Sequence, residues 1–226
     1  MGDYGTIGII GGYSRVNSDN FGKIGAEYSF QKSFDTNPDI GYKLACNANA
    51  LVGKHVGFSG GVYAGLDFAK TDCTQYNVGL MADYTNTRKN IHRLFNGQGE
   101  ALSTNNCEKL LNDKNALSNN GINPNQIINA GAEVGFTRNL CCDEDRKLHI
   151  AMQGGAEFTA KPELNTNNDI PQIVYKNKFN QVAPFIGAKI EYSTAINNKG
   201  NELFFRGNCN LSEQNSKGEI GVGFRF

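Results

Sequence analysis

Apolar residues recur at every second position in segment after segment of this chain, and that alternation limits its fold more than any other feature. Ile24, Ala26, Tyr28 and Phe30 alternate with Lys23, Gly25, Glu27 and Ser29. Val56, Phe58, Val62, Ala64, Leu66 and Phe68 share one parity, and Gly57, Ser59, Gly61, Tyr63, Gly65 and Asp67 the other. The segments 76–84 and 128–136 repeat the pattern, and Ile220, Val222, Phe224 and Phe226 alternate with Glu219, Gly221, Gly223 and Arg225. Successive side chains on a strand point to opposite faces, so each segment reads as a two-faced strand. Weaker versions at 5–13, 39–52, 147–159, 182–193 and 202–211 bring the expected total to about ten. Eight stays open, because 39–52 and 202–211 are less regular.

The length of these segments separates two kinds of β fold. Soluble strands average about 5–6 residues, whereas a tilted strand crossing a membrane needs about 9–11. Most segments here reach the longer class. No run of roughly 20 apolar residues exists, so spanning by helices is excluded. The mean hydropathy of −0.45 is compatible with a membrane barrel, in which only alternate residues are apolar. Lys and Arg total 22 and Asp and Glu also 22, a balance without the basic excess of a nucleic-acid binder.

The polar face is unusual in being rich in glycine, at positions such as 25, 57, 61, 65, 79, 131, 135, 155, 187, 221 and 223. Water-facing strand positions gain nothing from glycine. A crowded barrel interior does, because small residues leave room for large ones opposite. The same face carries Lys23, Glu27, Lys43, Asp67, Asp83, Glu133, Glu157, Lys189, Glu191, Arg206, Glu219 and Arg225. Their near balance predicts an internal ion-pair network. The expected fold is therefore all-β: one transmembrane antiparallel up-and-down β-barrel domain spanning 1–226, with long external loops at about 85–126 and 160–181. Shorter links fall at 34–38, 70–74, 139–146 and 194–201, matching barrels that keep short turns on one side and long loops on the other.

The terminal segment Gly-Glu-Ile-Gly-Val-Gly-Phe-Arg-Phe resembles the last strand of bacterial outer-membrane barrels, which ends in an aromatic residue after alternating apolar positions. Ile220, Val222, Phe224 and Phe226 match position by position, and the resemblance implies recognition by the barrel-assembly machinery. The overall layout is similar to the small OmpA-like, opacity-like and surface-antigen barrels. The chain departs from them in lacking Trp, so any aromatic girdle falls to residues such as Tyr13, Tyr28, Tyr84 and Phe136. The opening Met1-Gly2-Asp3-Tyr4 has no leader character, so a signal peptide is expected to have been removed from a protein of the bacterial outer membrane.

In the loop 85–126, residues 106–117 are expected to form a short helix preceded by a basic cluster of Arg88, Lys89, His92 and Arg93. Such a cluster suits lipopolysaccharide phosphates or an anionic host polymer, although charge runs are commonly just solvated. Six cysteines, at 46, 73, 107, 141, 142 and 209, form no CxxC pair, and the three His are far apart. No metal and no cofactor is expected. Cys73 lies in one turn and Cys141 with Cys142 in the next on the same side, which places a disulfide between neighbouring turns.

His55 has Ser59 four residues on, and His149 sits near a strand start, but no Ser-His or Asp-His pairing emerges at a recognisable spacing. An enzyme is not expected. The expected function is a monomeric surface barrel, structural or adhesive, that meets outer-membrane lipid and a host surface molecule but no nucleic acid. The alternatives are a narrow channel for ions or small solutes, and a soluble lipocalin-like binder of an apolar ligand with the two faces reversed.

Overall fold

The alternation becomes ten long antiparallel strands in the computed structural model, which describes residues 4–17, 19–71, 73–87, 91–93, 103–112, 126–140, 145–166, 172–196 and 201–226. In chain order the elements are β1 (Tyr4–Val16), β2 (Asp19–Phe34), β3 (Asn37–Gly53), β4 (Val56–Thr71), β5 (Thr74–Asn86), the short β6 (Ile91–Arg93), α1 (Thr104–Asn112), β7 (Gln126–Asn139), β8 (Arg146–Asn165), β9 (Gln172–Ala195), β10 (Glu202–Ser212) and β11 (Ser216–Arg225). Each long strand pairs with the next long one, and β11 pairs with β1, so the sheet closes without a free edge. Closure is what hydrocarbon demands, since an unpaired backbone group there costs several kcal/mol. The seam is completed by Ile7 and Phe226, which exchange backbone hydrogen bonds of 3.1 and 2.9 Å.

The stagger of the barrel follows from the pairing. Starting at Tyr4, the partners run through Gln31, Lys43, Gly65, Gly79, Glu133, Gln153, Gly187, Asn210 and Lys217, and return to β1 at Val16. One circuit thus climbs twelve residues, from 4 to 16. With ten strands this shear sets a tilt of roughly 40°, inside the usual range for closed barrels.

The apolar parity faces outward. Ile24 (66%), Leu80 (71%), Met152 (73%), Ile186 and Ile220 are among the most exposed side chains, a distribution that only lipid can cover. A soluble barrel holding an apolar ligand would require the reverse. Of the aromatic residues named above, Tyr13 and Tyr28 lie on this outer wall, as does Tyr76. Ring pairs cluster near both rims: Phe30 and Phe34 against Tyr42 on one side, and Phe58 against Tyr84 on the other. Inside, glycines make room for large neighbours. A Cβ on Gly65 or Gly79 would collide with the Tyr63 ring, whose hydroxyl accepts a 3.3 Å hydrogen bond from Asn77.

Tyr4, Phe226 and the strand ends joined through 35–36, 72–73, 140–145 and 196–201 lie at one mouth, called here the terminal mouth. The strand ends joined through 17–18, 54–55, 87–125, 166–171 and 213–215 lie at the other, the loop mouth. The expected loop at 160–181 is corrected: β8 continues to Asn165 and β9 begins at Gln172, so most of that stretch is strand. Beyond Thr159 the strand β8 has lost its partner β7, and the β8–β9 pair runs on as a two-stranded ribbon above the wall. Pro162 and the register shifts around Ala160 break the alternation there. A ribbon outside the membrane has no lipid face, so it carries no apolar period to read.

Candidate functional site

Two layers of inward-facing side chains lie across the lumen. The lower one is charged. Glu27 on β2 and Glu191 on β9 face Arg206 on β10 and Arg225 on β11. Arg206 bonds Glu27 at 2.8 Å and Glu191 at 2.6 Å. Arg225 bonds Glu27 and Glu191, each at 2.7 Å, and reaches Glu202 at 3.6 Å. The fully buried Phe204 ring lies beneath both guanidiniums, 4.1 Å from Arg225 and 5.0 Å from Arg206. Glu202 also takes Lys147 at 3.0 Å. Nearer the loop mouth, Glu219 is held by Lys23 at 3.0 Å and Lys217 at 3.3 Å, with Ser14 donating at 3.4 Å. Fork-shaped guanidiniums suit such paired contacts because their donors match two carboxylates at once.

The remaining interior charges are less tightly held. Glu133 accepts from Gln153 at 2.8 Å and from Asn77 at 3.5 Å. Glu157 accepts from Ser212 at 2.6 Å and Asn215 at 2.7 Å. Lys43, Asp67, Asp83 and Lys189 face the same interior and act on these acids and bases at longer range.

The upper layer is apolar, and reading the strands from sequence missed it. Val16, Phe21, Leu51 and Ile127 form one buried cluster. They come from β1, β2, β3 and β7. Since β7 stands five strands from β1 in a ring of ten, the cluster bridges opposite walls just inside the loop mouth. The signal was present: Phe21 shares the parity of Lys23 and Glu27, Leu51 that of Asn49, and Ile127 that of Asn129 and Glu133. An apolar residue that switches to the inward parity at a strand end is a lid residue. The turns above are knitted together by Asn17, which adopts φ 54°, a conformation Asn tolerates. Its amide donates to Asn215 at 2.8 Å, and its side-chain oxygen accepts from the Ser216 N–H at 2.9 Å.

Above the loop mouth stand the β8–β9 ribbon, β6 and α1. The strand β6 adds to the ribbon through Ile91↔Val174, His92↔Ile173 and Arg93↔Gln172. The expected helix at 106–117 is observed from Thr104 to Asn112 and lies against β8, with Cys107 buried and its N–H bonded to the Ser103 carbonyl at 3.0 Å. Burial pushes the Cys107 thiol above its usual pKa. Of the basic cluster, His92 and Arg93 have their backbone in β6, while Arg88 and Lys89 lie outside the described residues.

The other singled-out residues are placed as follows. Ile220, Val222, Phe224 and Phe226 lie along the outer wall of the closing strand, with the Phe224 and Phe226 rings tilted against each other at 5.1 Å. Cys46, Cys107 and Cys209 are outside any disulfide. Cys73 is disulfide-bonded, and Cys141 and Cys142 lie outside the described residues. Peptide mapping without reductant is expected to recover the Cys73 peptide joined to the one containing Cys141 and Cys142. A Cys73 peptide migrating alone would refute that bridge.

One cross-strand pair approaches the geometry of a catalytic relay. His149 Nδ1 lies 3.1 Å from Thr137 Oγ1, and its Nε2 lies 3.9 Å from Glu133. The second distance exceeds a hydrogen bond, and Glu133 is already engaged by Gln153 and Asn77. His55 sits in a two-residue turn, while Ser59 is buried beside Asn49. Thr137 and His149 thus share a hydrogen bond, but Glu133 stands too far from the ring to orient it. No cluster of metal-ligating side chains occurs among the described residues.

No family model matches the chain, and no curated protein matches it in sequence. Among solved structures it is similar to the beta domain of the Bordetella autotransporter BrkA, at 8% identity over 100% of this chain and 99% of that one, with a TM-score of 0.49. It is also similar to the Ralstonia pickettii toluene transporter TbuX, at 9% identity over 99% and 88% of the two chains, with a TM-score of 0.38. A third is the KdgM porin, at 7% identity over 97% and 99%, with a TM-score of 0.30. These are likenesses of one barrel to another, too distant to decide function.

Proposed function

We propose that this chain is an outer-membrane surface protein whose barrel is a closed support and whose working surface stands above the loop mouth. The observation that supports this reading is a pair of side-chain layers in series: the apolar cluster of Val16, Phe21, Leu51 and Ile127 over the Glu27, Arg206, Glu191 and Arg225 network. A filled interior fits a ten-stranded barrel, which is near the size that side chains just occupy. What lies outside the lumen is then free for recognition: a ribbon, a short strand and a helix on a rigid base. The basic residues Arg88, Lys89, His92 and Arg93 belong to the same connection, so an anionic polymer on a host surface is the partner class we favour.

The test is binding of the refolded barrel in detergent micelles to immobilised heparin-like polysaccharide. Wild type should bind with an affinity that falls as salt rises. Replacing Arg88, Lys89 and Arg93 together by Ser should weaken it at least tenfold. Equal binding by the triple variant would overturn the recognition role, and salt-independent binding would exclude a charge-driven one. A narrow channel is the second reading. The amide oxygens of Asn77, Asn129 and Gln153, which have no hydrogen-bond partner among the described residues, favour it to the extent that they imply water in the lumen.

A further inference from the structure

The outer wall is not uniformly filled. Where β8 to β11 meet β1, Ala188, Gly207, Cys209 and Gly218 leave a lipid-facing groove of about 510 Å³, walled by Tyr13, Ile150, Ile190 and Ile220. Neither of its two glycines is required by close packing. A Cβ on Gly218 would meet nothing within 4 Å, and one on Gly207 would touch only the Ile190 side chain at 3.2 Å. Several inward glycines, by contrast, are held against backbone: Gly131 and Gly155 face each other so closely that neither could carry a Cβ. The groove is thus a hollow in the wall, open to the membrane.

Its upper end has a charge. Arg15 lines the groove on the outward parity of Tyr13, one residue short of the end of β1 at the loop mouth. Its Nε donates to the Asn17 carbonyl at 3.0 Å, and among the described residues no carboxylate pairs with it. Tyr13 beside it donates its hydroxyl to Asn20. A cation on the lipid-facing wall at the rim, with no protein anion, stands where lipid phosphates lie. Apolar hollow and basic rim are arranged as the two ends of a lipid are.

We propose that this groove seats one acyl chain of a phosphate-bearing lipid of the loop-side leaflet, taken to be lipid A, with its phosphate on the Arg15 guanidinium. Smooth wall offers a chain only the area of passing contact. A hollow surrounds the chain, and each methylene enclosed adds dispersion contacts that a flat surface cannot give. The bidentate fork of Arg15 then fixes which headgroup is held. The proposal rests on the barrel standing in the membrane with this mouth outward, and the test below separates its failure from a failure of that placement.

The barrel, refolded in detergent, is titrated with lipid A and examined by native mass spectrometry. Heat-modifiable gel mobility verifies that every variant is folded. Wild type is expected to retain one lipid A after detergent is stripped. Gly218→Leu, whose side chain has room to enter the groove, should abolish the adduct, and Arg15→Gln should weaken it about tenfold. Dephosphorylated lipid should bind wild type no better than it binds Arg15→Gln. Cys209 gives a second readout, since bound lipid A should slow its alkylation by a membrane-soluble maleimide, while Cys46, the other free thiol on the outer wall, reacts unchanged. Adducts of equal survival in wild type, Gly218→Leu and Arg15→Gln, with no protection of Cys209, would overturn the site while leaving the barrel intact. Loss of heat-modifiability in wild type would instead overturn the membrane placement itself.

Discussion

Opening this barrel should take two cuts. Wild type is expected to show no resolvable steps in planar bilayers, because the apolar cluster and the ion-pair layer lie one above the other along a single lumen. Resistances in series are dominated by whichever seal remains. Phe21→Ala with Leu51→Ala removes the upper seal only, and Arg206→Ala the lower only, so both partial variants should stay silent. The triple variant should conduct in discrete steps. Acids then outnumber bases along the lumen, so cations should pass more readily than anions. Steps in wild type would refute the closed barrel and restore the channel reading. Silence of the triple variant, with folding verified on heated and unheated gels, would mean that other side chains fill the bore. Cavity formation will itself destabilise these variants, by about 3–5 kcal/mol for Phe21→Ala.

The second large effect concerns the charged layer itself. Glu191 takes contacts from both Arg206 and Arg225 at 2.6 and 2.7 Å. Replacing it by Leu leaves two enclosed guanidiniums sharing Glu27, with only Glu202, 3.6 Å from Arg225, as a further acid in reach. The cost of leaving a buried charge unpaired is about 3–5 kcal/mol, larger than the net contribution of an intact pair. Urea unfolding in micelles, followed by gel mobility, should show this loss for Glu191→Leu. Adding Arg206→Leu should recover part of it, because the orphan is removed along with its partner. A single variant within about 1 kcal/mol of wild type would mean that water enters the layer and solvates the freed arginines.

Much of the architecture was legible in the residues themselves. Period-two alternation places Ile24 and Glu27 on opposite faces whatever the neighbouring strand is, so strands and faces can be read locally. Three things could not. Which acid meets which base depends on the shear: Glu27 reaches Arg206 and Arg225 only because the strands close in a staggered ring, and no local pattern encodes that stagger. The ribbon of β8 and β9 reads as a loop because above the membrane no face needs to be apolar. The cluster at the loop mouth is invisible locally because Phe21, Leu51 and Ile127 each look like an ordinary hydrophobe out of phase. Only when β3 and β7 are known to stand on different sides of one lumen do they become a seal.

The seam between β1 and β11 has a consequence in time. Within the ring the strand that pairs with β1, the first to be synthesised, is β11, the last of the ring to follow. Until β11 is delivered, a partial ring carries two raw sheet edges and an apolar wall with no membrane around it. Such a fragment has nothing to gain by folding in water and can pair with any neighbour that offers an edge. The strands are therefore best kept extended and escorted until the ring can close. The aromatic residues of β11 stand on the strand whose pairing with β1 closes it.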